Sequence, residues 1–178
     1  MKKICIIFLT LFIITLTAVG FLDGKTAQNT SVCDKYLRVH IRADSNERAA
    51  QDVKYLVRDG VVKYLTPLVS TFQTKEQAVV GIEKRTDEIS AVATAILREN
   101  GFSYGATVRV EREVFPTRVY DGYTLPSGEY TALVVRLGKG EGDNWWCVVY
   151  PPLCFTGGQG NVVYKSKIKE IIARFSTD

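Results

Sequence analysis

Histidine is nearly missing from this 178-residue chain: His40 stands alone. One imidazole cannot build a His-rich zinc site. As a general base it would need a nucleophile within hydrogen-bond reach, which sequence alone cannot place. Neither the Gly-x-Ser-x-Gly elbow nor the His-Glu-x-x-His pair of metalloproteases occurs. The glycine-rich stretch 138–144 lacks the Lys-Ser/Thr ending of a phosphate loop, and a strand pattern follows it, so no helix N-terminus is there to hold an anion. Internal repeats are absent, and no basic stripe is interleaved with aromatics, which argues against a nucleic-acid partner. The net charge of +4 is modest, and without Lys2 and Lys3 the 23 basic residues fall to 21 against 19 acidic ones. No metal and no cofactor is expected, and catalysis is not the first reading.

What is present begins at the N-terminus. Lys2 and Lys3 precede a nearly unbroken apolar run over residues 4–19, and Ala18-Val19-Gly20 supplies small residues for a cleavage site. Residues 1–20 therefore read as a secretory signal peptide. The run is short for a bilayer span, which needs about 20 apolar residues, and a retained signal anchor is the other reading. On either reading the folded part works outside the cytoplasm and meets a membrane only through this segment. Residues 21–34 are polar and small and read as a linker, residues 35–158 as the domain, and residues 159–178 as a tail. Within the tail, Ile168, Ile171, Ile172 and Phe175 have the spacing of a short amphipathic helix.

Cys5 falls in the signal segment, leaving Cys33, Cys147 and Cys154, an odd number for an oxidising compartment. Pro151-Pro152 favours a bend that brings Cys147 and Cys154 within reach of a disulfide. A redox site is the competing reading, although redox pairs usually have Cys-x-x-Cys spacing.

Residues 36–42 alternate, with Leu37, Val39 and Ile41 on one side and Arg38, His40 and Arg42 on the other, as in a half-buried strand with a polar outer face. Asp44 and Glu47 have capping-box spacing ahead of a helix that Pro67 is expected to stop. Thr74 and Gln77 open a second, long helix with Ala78, Ile82, Arg85, Ile89, Val92 and Ile96 on its seam, ending at Asn100-Gly101. The period then changes to two. Strands are expected over 107–114, 129–137 and 145–150, with Glu111 and Glu113 on a solvated face and 138–144 as a hairpin connection. The order strand, helix, helix, three strands gives an α+β fold, a mainly antiparallel sheet with two long helices on one face. Trp145 and Trp146 must point to opposite faces of their strand, so one can fill the core while the other is either covered or exposed as a partner hot spot.

The string Asn144-Trp145-Trp146-Cys147, followed by Pro151-Pro152-Leu153-Cys154-Phe155, resembles the hallmark of the stage II sporulation protein R family. Phe115-Pro116-Thr117-Arg118-Val119-Tyr120 and Leu37-Arg38-Val39-His40-Ile41-Arg42-Ala43 are similar to its other motifs. The likeness runs over about residues 36–155, with Ala43-Asp44-Ser45-Asn46-Glu47 departing from the usual loop. The resemblance implies a protein made in the forespore and exported between the two membranes of the developing spore. There it triggers a membrane-embedded aspartic protease, which processes the precursor of the early mother-cell sigma factor. The expected contact residues are Trp145, Trp146, Phe115, Tyr120 and Tyr123. The alternative is an exported cell-envelope enzyme using His40, Ser45 or the cysteines.

Overall fold

Strand β1 (Leu37–Arg42) forms where the alternation places it, but five of its six residues are buried, so both faces of the strand are covered. The computed structural model describes residues 32–153 apart from position 121. The signal-peptide segment, Cys154 and the tail expected over 159–178 lie outside the described residues. Helices α1 (Arg48–Val69), α2 (Lys75–Glu83) and α3 (Thr86–Glu99) follow β1. Then come β2 (Ala106–Phe115), β3 (Arg118–Tyr120), β4 (Tyr123–Leu125), β5 (Gly128–Leu137) and β6 (Asn144–Tyr150). The class is α+β. Among the described residues, no helix is long and apolar enough to cross a membrane.

Pro67 does not stop α1, which runs two residues further. A proline at that place leaves one carbonyl of the preceding turn without its helical donor. Val69, buried at 2 % exposure, still draws the last turn onto the core. The expected second long helix is two helices. It breaks at Lys84–Arg85, where Arg85 leaves helical geometry (φ −122°, ψ 11°) and its Nη1 donates to the Gly81 carbonyl at 2.8 Å. The break accounts for a charged residue on an otherwise apolar seam. The Thr74 cap holds: its Oγ1 accepts from the Gln77 backbone N–H at 3.2 Å. Asp44 does not cap α1. Its Oδ1 accepts instead from the Lys139 backbone N–H at 2.7 Å, and the N-cap position belongs to Glu47, without a side-chain bond.

The main sheet has the order β2-β5-β1-β6. β1 is parallel to β5 and antiparallel to β6, and β2 is antiparallel to β5. The connection 138–144 is therefore not a hairpin. It carries the chain over the end of β1, which lies between the two strands it joins. Backbone bonds clasp it to the β1–α1 loop: Gly142 N–H to Ala43 O at 2.9 Å, and Glu141 N–H to Asp44 O at 3.2 Å. The helices cover one face. Val53, Val57, Val61 and Leu65 of α1, with Ile89, Ala93 and Leu97 of α3, meet Val39, Ile41, Leu133, Val135, Cys147 and Val149 in the main core. The opposite face holds Arg38, His40, Tyr130, Ala132, Val134 and Trp146, and the β3–β4 hairpin lies against it.

The β2–β5 ladder curls strongly across that second face. Phe115 pairs with Gly128 and His40 with Val134, six residues further along β5. In a flat sheet those positions lie about 20 Å apart, yet the Phe115 and His40 rings are 5.7 Å apart.

Candidate functional site

The curl gathers the second face into a small centre of cations and aromatic rings. Arg38 is fully buried. Its guanidinium carbon stands 4.3 Å from the Phe115 ring, 4.9 Å from Tyr130 and 5.3 Å from Tyr120. Nε donates to the Cys147 carbonyl at 3.1 Å and Nη2 to the Tyr120 hydroxyl at 2.6 Å. Nη1 has no hydrogen-bond partner, and no carboxylate pairs with this side chain among the described residues. Burial pushes the guanidinium below its ordinary value, and the hydroxyls of Tyr120 and Tyr130 oppose that shift. Ring faces are negative and attract a cation, so three rings replace part of the lost hydration. Tyr130 in turn donates to the Pro126 carbonyl at 2.8 Å, and its phenol is pushed upward by burial first and by the neighbouring Cys33 second.

His40 pairs across the ladder with Trp146. Their rings stack at 3.8 Å and 19°. This histidine is buried, not at the surface where the alternation put it, because the curled ladder and the hairpin cover what would be a solvent face. Its Nδ1 lies 3.4 Å from Glu113 Oε2. Glu113 also accepts two bonds from Arg42 Nη2, at 2.9 and 2.8 Å, and lies 3.3 Å from Arg136, while Glu111 pairs with Arg136. The carboxylates expected on a solvated face are thus half-buried members of an ion-pair network.

Burial, more than any neighbour, lowers the His40 pKa to about 4. The folded protein holds it neutral while the unfolded chain takes up a proton below its ordinary value of 6.5. Stability from this group is complete above about pH 6.5 and is lost as the pH falls toward 4. Between about pH 7.5 and pH 5 the expected loss is about 2 kcal/mol. His40→Gln should flatten that step in urea-denaturation free energies measured at both pH values. His40 is the chain's only histidine, so an unchanged step would refute the assignment.

The expected contact residues are not one patch. Phe115 is fully buried at the middle of the ring cluster. Trp146, Tyr120 and Tyr123 are half-buried on the same face, and Trp145 is half-buried on the helix face, with Arg58 5.8 Å from its ring. Ser45 Oγ takes the Glu47 N–H at 3.4 Å, while His40 faces Glu113 and Trp146. Cys147 is a buried, disulfide-bonded cysteine, and the expected partner Cys154 lies outside the described residues. No group of three or more His, Cys, Asp or Glu among the described residues could hold a metal ion.

Two residues of the site escaped the sequence reading. Arg38 looks like one more outward charge of an alternating strand. Lys54 lies inside a helix beside Val53, yet it is 1 % exposed, with Nζ donating to Gln51 Oε1 at 2.6 Å and to the Asp143 carbonyl at 3.1 Å. A Lys and an Arg carry no sign of burial in their identity, because both usually keep the charged head in water.

Fold and site together define a two-layer α+β protein whose mixed sheet has helices on one face and a cation-aromatic centre on the other. The chain belongs to the stage II sporulation protein R family, whose model matches residues 33–159. It is 34 % identical over 177 residues to stage II sporulation protein R of Bacillus subtilis (strain 168), an alignment covering 96 % of this chain and 79 % of that protein. No solved structure matches it significantly. The role of the chain is therefore in sporulation.

Proposed function

We propose that this chain is an intercompartmental signal of endospore formation, exported from the forespore, that activates a membrane-embedded aspartic protease and so leads to processing of the early mother-cell sigma factor precursor. Family membership is the observation that carries the reading. The signal-like N-terminus supports export, and a disulfide between Cys147 and Cys154, the pairing we favour, suits that compartment. A binding role is favoured over chemistry by where the polar groups point. His40 is sealed beneath Trp146, whereas Trp146, Tyr120 and Tyr123 are half-buried at a rim beside the exposed Arg118. Half-exposed aromatics with a neighbouring arginine are the usual anchors of protein interfaces. The signal would act by binding the active state of the protease better than the inactive one.

The test is reconstitution: purified mature chain added to vesicles that hold the protease and its precursor substrate. Processing should depend on the chain, and Trp146→Ala, if folded, should reduce it at least tenfold, the loss of a hot-spot residue. A folded Trp146→Ala with full activity would remove that residue from the contact surface. Processing that proceeds equally without the chain would refute the signalling role.

A further inference from the structure

Beside the ring cluster, the start of β6 and the first turns of α1 enclose an open cleft of about 400 Å³, lined by Gln51, Lys54, Tyr55, Arg118, Asp143, Asn144 and Trp146. We propose that this cleft is a carboxylate-binding site that takes an acidic side chain of a partner polypeptide.

The cations in its lining make the case. Lys54 is 1 % exposed, and its ammonium is met only by neutral oxygens, Gln51 Oε1 at 2.6 Å and the Asp143 backbone carbonyl at 3.1 Å. An ammonium has three donors, and these two bonds leave one. The Tyr55 ring lies 4.8 Å from Nζ. No carboxylate oxygen lies within ion-pair distance of Lys54 or of Arg118 among the described residues. Arg118 is exposed and stands 5.8 Å from the Trp146 ring, on the hairpin side. The Asp143 carboxylate attracts the ammonium from beyond ion-pair distance, so this buried cation has no contact ion pair, and an incoming carboxylate can supply one. Burial pushes the Lys54 ammonium below its ordinary value; the nearby Asp143 opposes that shift and Arg58 adds to it.

The surface of the cleft is mostly polar, with the Tyr55 and Trp146 side chains and the amides of Gln51 and Asn144 among its lining, which suits a charged side chain over an apolar one. A cleft of this volume has the size of sites that take a small ligand or one or two peptide residues. The identity of the partner as the protease rests on the signalling role proposed above. The site itself does not.

The full mature chain is titrated with N-acetyl-glutamate N-methylamide, with a short polyglutamate peptide, with inorganic phosphate, and with vesicles of phosphatidylcholine containing phosphatidylglycerol. The readouts are the Trp146 indole and Asn144 amide resonances. Both glutamate probes should shift these resonances. Arg118→Glu and Lys54→Met should each weaken the effect at least tenfold. Arg118 is exposed, so its variant remains readable if Lys54→Met does not fold. Absence of a shift with the glutamate probes, or an equal shift in both variants, overturns the proposal. So does a response to phosphate or to the vesicles as strong as that to glutamate, which would make this a general anion or lipid site. In the reconstituted protease system, Arg118→Glu should lose activation together with probe binding. Full activation by that variant overturns the partner assignment. A wild-type chain that never activates the protease refutes the signalling role while leaving the titration to judge the cleft.

Discussion

Arg38→Ala should lose about 3–5 kcal/mol of folding free energy, the scale of a large buried side chain removed without collapse of its surroundings. The substitution vacates the space between Phe115, Tyr120 and Tyr130 and deprives the Tyr120 hydroxyl and the Cys147 carbonyl of their donor. A single domain typically has about 5–15 kcal/mol in all, so the fall in urea midpoint will be large. Arg38→Met separates volume from charge. It refills most of the space without burying a cation, and a buried charge replaced by a well-packed apolar group is often neutral or stabilising. Methionine should therefore stay within about 1.5 kcal/mol of the wild type. Should alanine cost less than about 1 kcal/mol, the ring cluster is not a packed core. Should methionine cost as much as alanine, the two hydrogen bonds hold this face and not the packing.

Gly142→Ala should cost about 2–4 kcal/mol, a severe overpacking with hydrogen bonds lost besides. A Cβ at this position would overlap the carbonyl carbon and oxygen of Ser45 and stand 3.0 Å from its Cα. These are backbone atoms, so no rotamer change relieves the overlap. The two loops would have to part, and their clasp includes Gly142 N–H to Ala43 O at 2.9 Å, Lys139 N–H to Asp44 Oδ1 at 2.7 Å and Asp143 N–H to Asn46 Oδ1 at 2.6 Å. Gly60→Ala is the control. Its Cβ meets the flexible tip of Ile96, and alanine gains up to about 1 kcal/mol in helix propensity over glycine. Denaturation midpoints of the two variants should therefore differ sharply, and near-equal midpoints would show that the clasp is not rigid.

The helices were legible because an amphipathic stripe records burial directly: Val53, Val57, Val61 and Leu65 recur at helical spacing and are all buried. The Thr74 cap was legible because its partner lies three residues away. The break at Arg85 was hidden, since two helices on one seam show the same apolar spacing as one. The hairpin expected over 138–144 failed for another reason. Strand pairing between β5 and β6 is decided by which strand fills the gap between them, and β1, about a hundred residues earlier, fills it.

The candidate site divides in the same way. Trp146, Tyr120 and Tyr123 stood out by residue type, and their half-buried places on one face fit that notice. Phe115 stood out too, but lies inside. His40, Arg38 and Glu113 read as outward charges, because alternation tells which residues share a face and not whether anything covers that face. The sequence by itself determined the α+β class, the apolar helix faces and the family, since these are written in local spacing and in short strings. Only the tertiary structure decided that the second face of the sheet is covered. That depended on a ladder curling over it and on a hairpin packing against it, and both are contacts between residues far apart in the chain.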